Sequence, residues 1–362
     1  MTPSRSARGT PKRLLERVLC AASVAIAVAL VLAGCGGGTT GNEPTAGATT
    51  GSNVPFVFGA FATPLEEPWD GAVNAALEKA AADGLIKYEH VDNLRTADEM
   101  ETALRDIIAS QHPDIIFGDA FAAEEAVRKV AADFPDTAFA FGSGGAEQAP
   151  NFSVFDNWLQ DPAYLAGMLA GGLTKTNTIG VVAAMPIPEV NRIVNAFTAG
   201  VGETNAGATV TVSFINSFFD PAAAKQASEA AIAGGADVLF AERDGVIAAA
   251  REHKLPVFGM MVDQQSQAPD YVVSSLLWSM TPTVEAVVAD VVAGTFKAKN
   301  LAKYSFMING GSSLAPINTG TAFKTPADLI ARVEKRQAEI LDGTFVTPIN
   351  EKAPAGSTTV GQ

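Results

Sequence analysis

From residue 54 onward, short apolar runs alternate with longer stretches whose apolar residues recur every three or four positions. Val54–Phe61 (VPFVFGAF) is continuous enough to predict a buried strand. Trp69–Ala82 then has helical spacing, with Trp69, Val73, Ala76, Leu77 and Ala80 on one face. A weaker strand is predicted at Ile86–Val91. Thr96-Ala97-Asp98-Glu99 fits a capping box, opening a helix that turns Met100, Leu104, Ile107 and Ile108 inward. Strands at 114–118 and 137–141 flank a helix at 124–134. After a Gly- and Pro-containing break at 142–151 the same beat resumes. Helices are predicted at 163–173, 189–203, 221–233, 245–253 and 284–293, and strands at 178–184, 208–215, 236–240, 257–261 and 271–276. A further apolar segment follows at Tyr304–Asn309.

Strict alternation of helices with uninterrupted apolar strands predicts an α/β protein with parallel sheets covered on both faces. The pattern runs through two similar halves, so two doubly wound lobes joined by a hinge are expected across a cleft. The first would hold residues 54–157 plus about 283–312, and the second 158–282 plus about 313–350, with 351–362 as a C-terminal tail. Hinge segments are expected near 156–160, 280–283 and 310–313. In such folds ligands bind beyond the carboxyl ends of the strands, which points to the segments after Phe61, Phe117, Phe141, Ala184, Ile215, Phe240, Met261 and Leu276.

The first 53 residues follow a different logic. Arg5, Arg8, Lys12, Arg13 and Arg17 precede an apolar run from Val18 to Leu32, closed by Leu32-Ala33-Gly34-Cys35. That order is a secretory signal, and the run is shorter than the ~20 apolar residues of a membrane span. Small residues before a cysteine resemble the lipobox of bacterial lipoproteins, which implies cleavage before Cys35 and lipid attachment to it. Gly36–Asn53, rich in Gly, Thr, Ala and Ser, is expected to be a flexible tether. The folded body is thus expected at a cell membrane, lipid-anchored on its extracytoplasmic face.

Composition narrows the chemistry. The chain carries a net charge of −14, and without the five basic residues and Glu16 of residues 1–34 it has 20 basic against 38 acidic residues, or −18. Nucleic-acid partners are excluded on that ground, since phosphate binding needs clustered Lys and Arg. Cys20 and Cys35 both precede the body, so it holds no disulfide or thiolate. His90, His112 and His253 lack metal-ligand spacing. No Gly-x-Gly-x-x-Gly follows the first strand, where Phe61-Ala62-Thr63-Pro64 stands instead, and no P-loop or Gly-x-Ser-x-Gly elbow is present. Neither catalysis nor a cofactor or metal is expected, and the protein is expected to be a monomer.

The cleft segments instead carry aromatic rings and carboxylates. Trp69 follows the first strand, Trp278 follows the 271–276 strand, and Phe218 and Phe219 follow the 208–215 strand. Core packing and ligand stacking are both open to these residues. Glu66, Glu67, Asp119, Asp156, Asn157, Asp244, Asp263 and Gln264 are the polar groups at strand ends, with Arg192 and Arg243 nearby. Carboxylates accept hydrogen bonds from sugar hydroxyls or the N–H edge of a base. A neutral, flat, polyhydroxylated or heteroaromatic ligand suits that set.

At this point the chain resembles the basic membrane protein family, the PnrA-like group of nucleoside-binding lipoproteins that serve ABC importers. The resemblance rests on Ala163-Tyr164-Leu165-Ala166-Gly167-Met168-Leu169-Ala170, Leu173-Thr174-Lys175-Thr176, Ile179-Gly180-Val181-Val182, Phe219-Asp220-Pro221-Ala222, Gly235-Ala236-Asp237-Val238 and Val257-Phe258-Gly259-Met260-Met261-Val262-Asp263. It implies the type I periplasmic-binding-protein fold, a purine nucleoside or nucleobase as ligand, and an ABC permease as partner. It also implies base stacking by Trp69 and by Phe218 or Phe219, and a ribose-binding carboxylate at Asp263. The chain departs from the family at Leu65-Glu66-Glu67-Pro68-Trp69, and at Ser274-Ser275-Leu276-Leu277-Trp278, where a lysine is missing. A free base stacked by Trp69 and Trp278 and read by Glu66 or Glu67 therefore stands beside the intact nucleoside. A ligand-sensing lipoprotein and a secreted nucleoside-cleaving enzyme are the alternatives.

Overall fold

The computed structural model describes residues 54–121 and 123–360. The expected signal, Cys35 and the tether lie outside these residues. Two sheets organise the body. In the first lobe, β1 (Phe56–Ala60), β2 (Lys87–Val91), β3 (Ile115–Asp119), β4 (Ala138–Gly142) and β5 (Phe152–Phe155) are all parallel, in the order β2-β1-β3-β4-β5. Helices α1 (Pro68–Ala82), α2 (Ala97–Gln111) and α3 (Glu124–Asp133) connect them. The α1 face predicted from spacing is buried throughout. The capping box forms as read: the Glu99 N–H donates to Thr96 Oγ1 at 3.2 Å, and the Thr96 N–H to the Glu99 carboxylate at 3.0 Å.

The second lobe repeats the winding. After α4 (Gln160–Leu173) come β6 (Thr178–Ala183), α5 (Pro188–Thr204), β7 (Thr209–Phe214), α6 (Pro221–Ala233), β8 (Val238–Ala241), α7 (Val246–His253), β9 (Val257–Gly259) and β10 (Val272–Trp278). The chain then returns to the first lobe as α8 (Thr281–Val292), which packs on α1, and runs beside β5, where the Leu301 N–H donates to the Val154 carbonyl at 2.7 Å. It crosses again to β11 (Ser312–Leu314), antiparallel to β10, and to α9 (Ala327–Leu341), which packs on α4. The C-terminal segment expected as a tail supplies β12 (Thr358–Thr359), parallel to β7, giving the order β11-β10-β9-β8-β6-β7-β12. The apolar segment at 304–309 forms parts of two short 3-10 turns.

Helix α4 explains why the second lobe is tightly knit. Gln160 to Gly171 are all buried, and the glycines let two helix backbones touch. A Cβ on Gly167 would stand 2.0 Å from the Phe197 carbonyl oxygen of α5. Small residues here trade side-chain volume for close backbone approach.

Candidate functional site

Both sheets reverse their strand order beside their first strand, between β1 and β3 in one lobe and between β6 and β8 in the other. The carboxyl ends of strands at such a reversal leave an open crevice. A cavity of about 460 Å³ lies between the lobes at these ends. The loop after β1 and the start of α1 bring Thr63, Glu67 and Trp69 to it; the ends of β3 and β4 bring Asp119, Phe121 and Ser143; β5 brings Phe155 and Asp156. The facing wall is the start of α5 (Pro188, Glu189 and, one turn on, Arg192), Phe218 after β7, and Glu351 near the C-terminus.

The aromatic residues divide into lining and support. Trp69 is 8% exposed and forms a triangle with Phe155 and Trp278, with ring centroids 5.7 and 5.0 Å from its own and 6.4 Å from each other. Gly142 lets the ring settle, since a Cβ there would come within 1.9 Å of Trp69 Cη2. Trp278 does not line the cavity: it is 6% exposed, and its indole N–H donates to Ser305 Oγ at 3.2 Å. It buttresses Trp69 from behind and offers a ligand no face. Phe218 and Phe121, from opposite lobes, meet edge to face at 4.8 Å. Phe219, adjacent to Phe218 but turned outward, is 42% exposed.

The carboxylates sort in the same way. Glu67 caps α1, accepting from the Trp69 and Asp70 N–H groups at 2.8 and 3.1 Å, and pairs across the lobes with Arg243 at 3.3 Å. Burial lifts its carboxyl above the ordinary range, against the pull of Arg243. Glu66, one residue before the cap, faces solvent away from the cavity. Asp119 accepts the Phe121 N–H at 2.9 Å, and burial pushes its carboxyl up to about 7. Asp156 pairs with Arg192, whose other Nη donates to Glu351 at 3.0 Å. Asn157 sits behind the wall, donating to Glu189 at 2.6 Å. Loss of water, reinforced by Asp156, pushes Glu189 up to about 8. Asp263 is exposed and accepts the Gln265 N–H at 3.0 Å, so the turn after β9 uses it as a local cap outside the cavity.

Of the ten expected ligand contacts, Glu67, Trp69, Asp119, Asp156 and Phe218 come together, while Glu66, Asn157, Phe219, Asp263 and Trp278 do not reach the wall. Glu189 escaped sequence reasoning, although it opens the helix after β6 just as Glu67 opens the helix after β1. Phe121 and Ser143 stand one or two residues past strand ends and were findable by the same rule. No local signal marks Glu351. At neutral pH Asp119 and Glu189 thus lie near their titration points, and a carboxyl in that range can both donate to and accept from a polar ligand.

Comparison with known proteins agrees with this architecture. The family model described as "ABC transporter substrate-binding protein PnrA-like" matches residues 63–306. A stretch of 131 residues is 41% identical to a Haloferax volcanii protein named for ABC-transporter glucose binding, covering 36% of this chain and 33% of that one. The chain thus spans about a third of that relative's length. A purine-binding protein of Brucella abortus is 26% identical over 272 residues, 74% of this chain and 75% of that one. Among solved structures, an ABC transporter solute-binding protein from Conexibacter woesei superposes with a TM-score of 0.66 at 24% identity, covering 82% of this chain and 99% of that one.

Proposed function

Because the chain belongs to the PnrA-like family of ABC transporter substrate-binding proteins, we propose that it captures a purine, as nucleoside or free base, between its lobes. A lipid on Cys35 would hold it at the extracytoplasmic face of the membrane, within reach of its permease. The observation that carries the reading is the inter-lobe cavity, about 460 Å³ in volume, with Trp69 from one lobe, Phe218 from the other, and carboxyl groups between. Aromatic faces take the flat base, and Asp119 and Glu189 take the polar edge or ribose hydroxyls in place of Asp263. A cavity of this size lies in the range of small-molecule sites, roughly 300–1,000 Å³. The purine-binding relative supports the ligand class.

Ligand touching both lobes favours the closed form by its differential affinity for it. The three passages of the chain between lobes, after β5, after β10 and before β11, serve as the hinge. The short match to the glucose-binding relative favours a second reading, in which the ligand is a hexose.

Mass spectrometry of ligand retained by natively purified protein, followed by calorimetry against nucleosides, nucleobases and glucose, separates the two. Purine binding that is lost in Trp69→Ala is expected. Glucose binding without purine binding would overturn the first reading. Uptake by a deletion strain distinguishes import from sensing.

A further inference from the structure

The corner of the cavity built by α5 has the parts of an anion site. The N-terminus of this 17-residue helix opens on the cavity through Ile187, Pro188 and Glu189, and Ile187 supplies no side-chain cap. One turn on stands Arg192, the one cationic side chain among the described residues that line the cavity. A helix N-terminus beside a guanidinium favours phosphate. Here that preference is opposed. Arg192 is held by Asp156 on one side and by Glu351 on the other, and Glu189 occupies the first turn.

Glu351 differs from the other two in where it comes from. It lies beyond the matched span of residues 63–306, on a C-terminal strap drawn across α5. The Asn195 side-chain amide donates to the Asn350 and Lys352 carbonyls at 2.7 and 2.8 Å, and that of Asn191 to the Glu351 carbonyl at 3.0 Å. β12 then fastens the strap to β7. Three points of attachment keep the Glu351 carboxylate on the guanidinium although its side chain is 43% exposed.

We propose that Glu351 is a specificity-determining residue that excludes phosphorylated ligands, by neutralising and occupying the guanidinium of Arg192 at the cavity wall. The inference rests on the nucleoside reading for its ligand class, and its own content is the rejection of the charged analogue.

The test uses the mature chain and its Glu351→Gln and Glu351→Ala variants, titrated calorimetrically with adenosine and adenosine 5′-monophosphate. Glu351→Gln removes the charge, and Glu351→Ala also frees the Nη donor. The ratio of monophosphate to adenosine affinity is expected to rise about tenfold or more in Glu351→Ala and less in Glu351→Gln. The gain should vanish in Glu351→Ala/Arg192→Met. A strap that only supports the fold would weaken both ligands together and leave their ratio unchanged, which would overturn the proposal.

If the parent chain binds no adenosine, the nucleoside reading fails, and inorganic phosphate becomes the probe. Millimolar phosphate should then raise the melting temperature of Glu351→Ala and not that of the parent. Equal responses would sink the exclusion role by itself.

Discussion

Replacing Asp119 by Asn tests the electrostatics of the cavity where the structure is most explicit. Asp119 is 7% exposed, and its carboxyl is lifted from the ordinary 3.8 to about 7 by burial. An acid with a raised folded-state pKa holds its proton in the native protein at pH values where the unfolded chain has released it. The native state then binds more protons, so stability falls as pH rises from about 4 and levels off above about 7. The full loss is on the order of 4 kcal/mol, of which about 2–3 kcal/mol falls between pH 5 and 8. Asn keeps an oxygen for the Phe121 N–H and does not titrate. Urea denaturation of ligand-free parent and Asp119→Asn protein at half-unit steps from pH 5 to 8.5 should give two curves that diverge. The parent loses those 2–3 kcal/mol relative to the variant, a difference of roughly 5 °C in melting temperature. Glu189 titrates in both proteins and cancels in the comparison. Parallel curves would show that the Asp119 carboxyl is ionised at pH 5 in the native state, and the account of a proton-bearing cavity would be wrong.

Two further expectations concern the walls. Arg243→Met strands Glu67 and Glu242, which are 3% and 2% exposed; the loss of stability should reach about 3–5 kcal/mol at pH 7.5. It should be smaller at pH 5.5, because burial raises the Glu67 carboxyl and the variant also lacks the opposing pull of Arg243; denaturant melts at the two pH values check this. Gly142→Ala drives a methyl into Trp69, so a loss of about 1–3 kcal/mol should accompany a shift in tryptophan fluorescence and weaker ligand binding.

The architecture was largely legible in the sequence because parallel α/β folding is written in local periodicity. The buried face of α1, the capping box at Thr96 and the β-α alternation through both lobes are each settled within about ten residues of chain. The carboxyl-end rule then brought Glu67 and Trp69, Asp119, and Phe218 to the cavity from three different segments. It failed for neighbouring residues. Glu66 and Phe219 sit beside residues that line the cavity but point away, because successive side chains in extended or turning backbone face opposite directions. Asp263 follows its strand as a ligand carboxylate would, yet the local turn after β9 claims it.

What the sequence determined by itself is therefore the order of elements, the two-lobed α/β architecture and the kinds of side chain held at strand ends. Only tertiary structure decided which of those side chains share a cavity and in what charge state. Trp278 became a buttress because Trp69 and Phe155 packed against it. The carboxyls of Asp119 and Glu189 were raised because the finished fold buries them. Glu351 reached Arg192 from 159 residues away. Periodicity is a property of neighbours along the chain, whereas desolvation and ion pairing depend on distances in space that the finished fold alone sets.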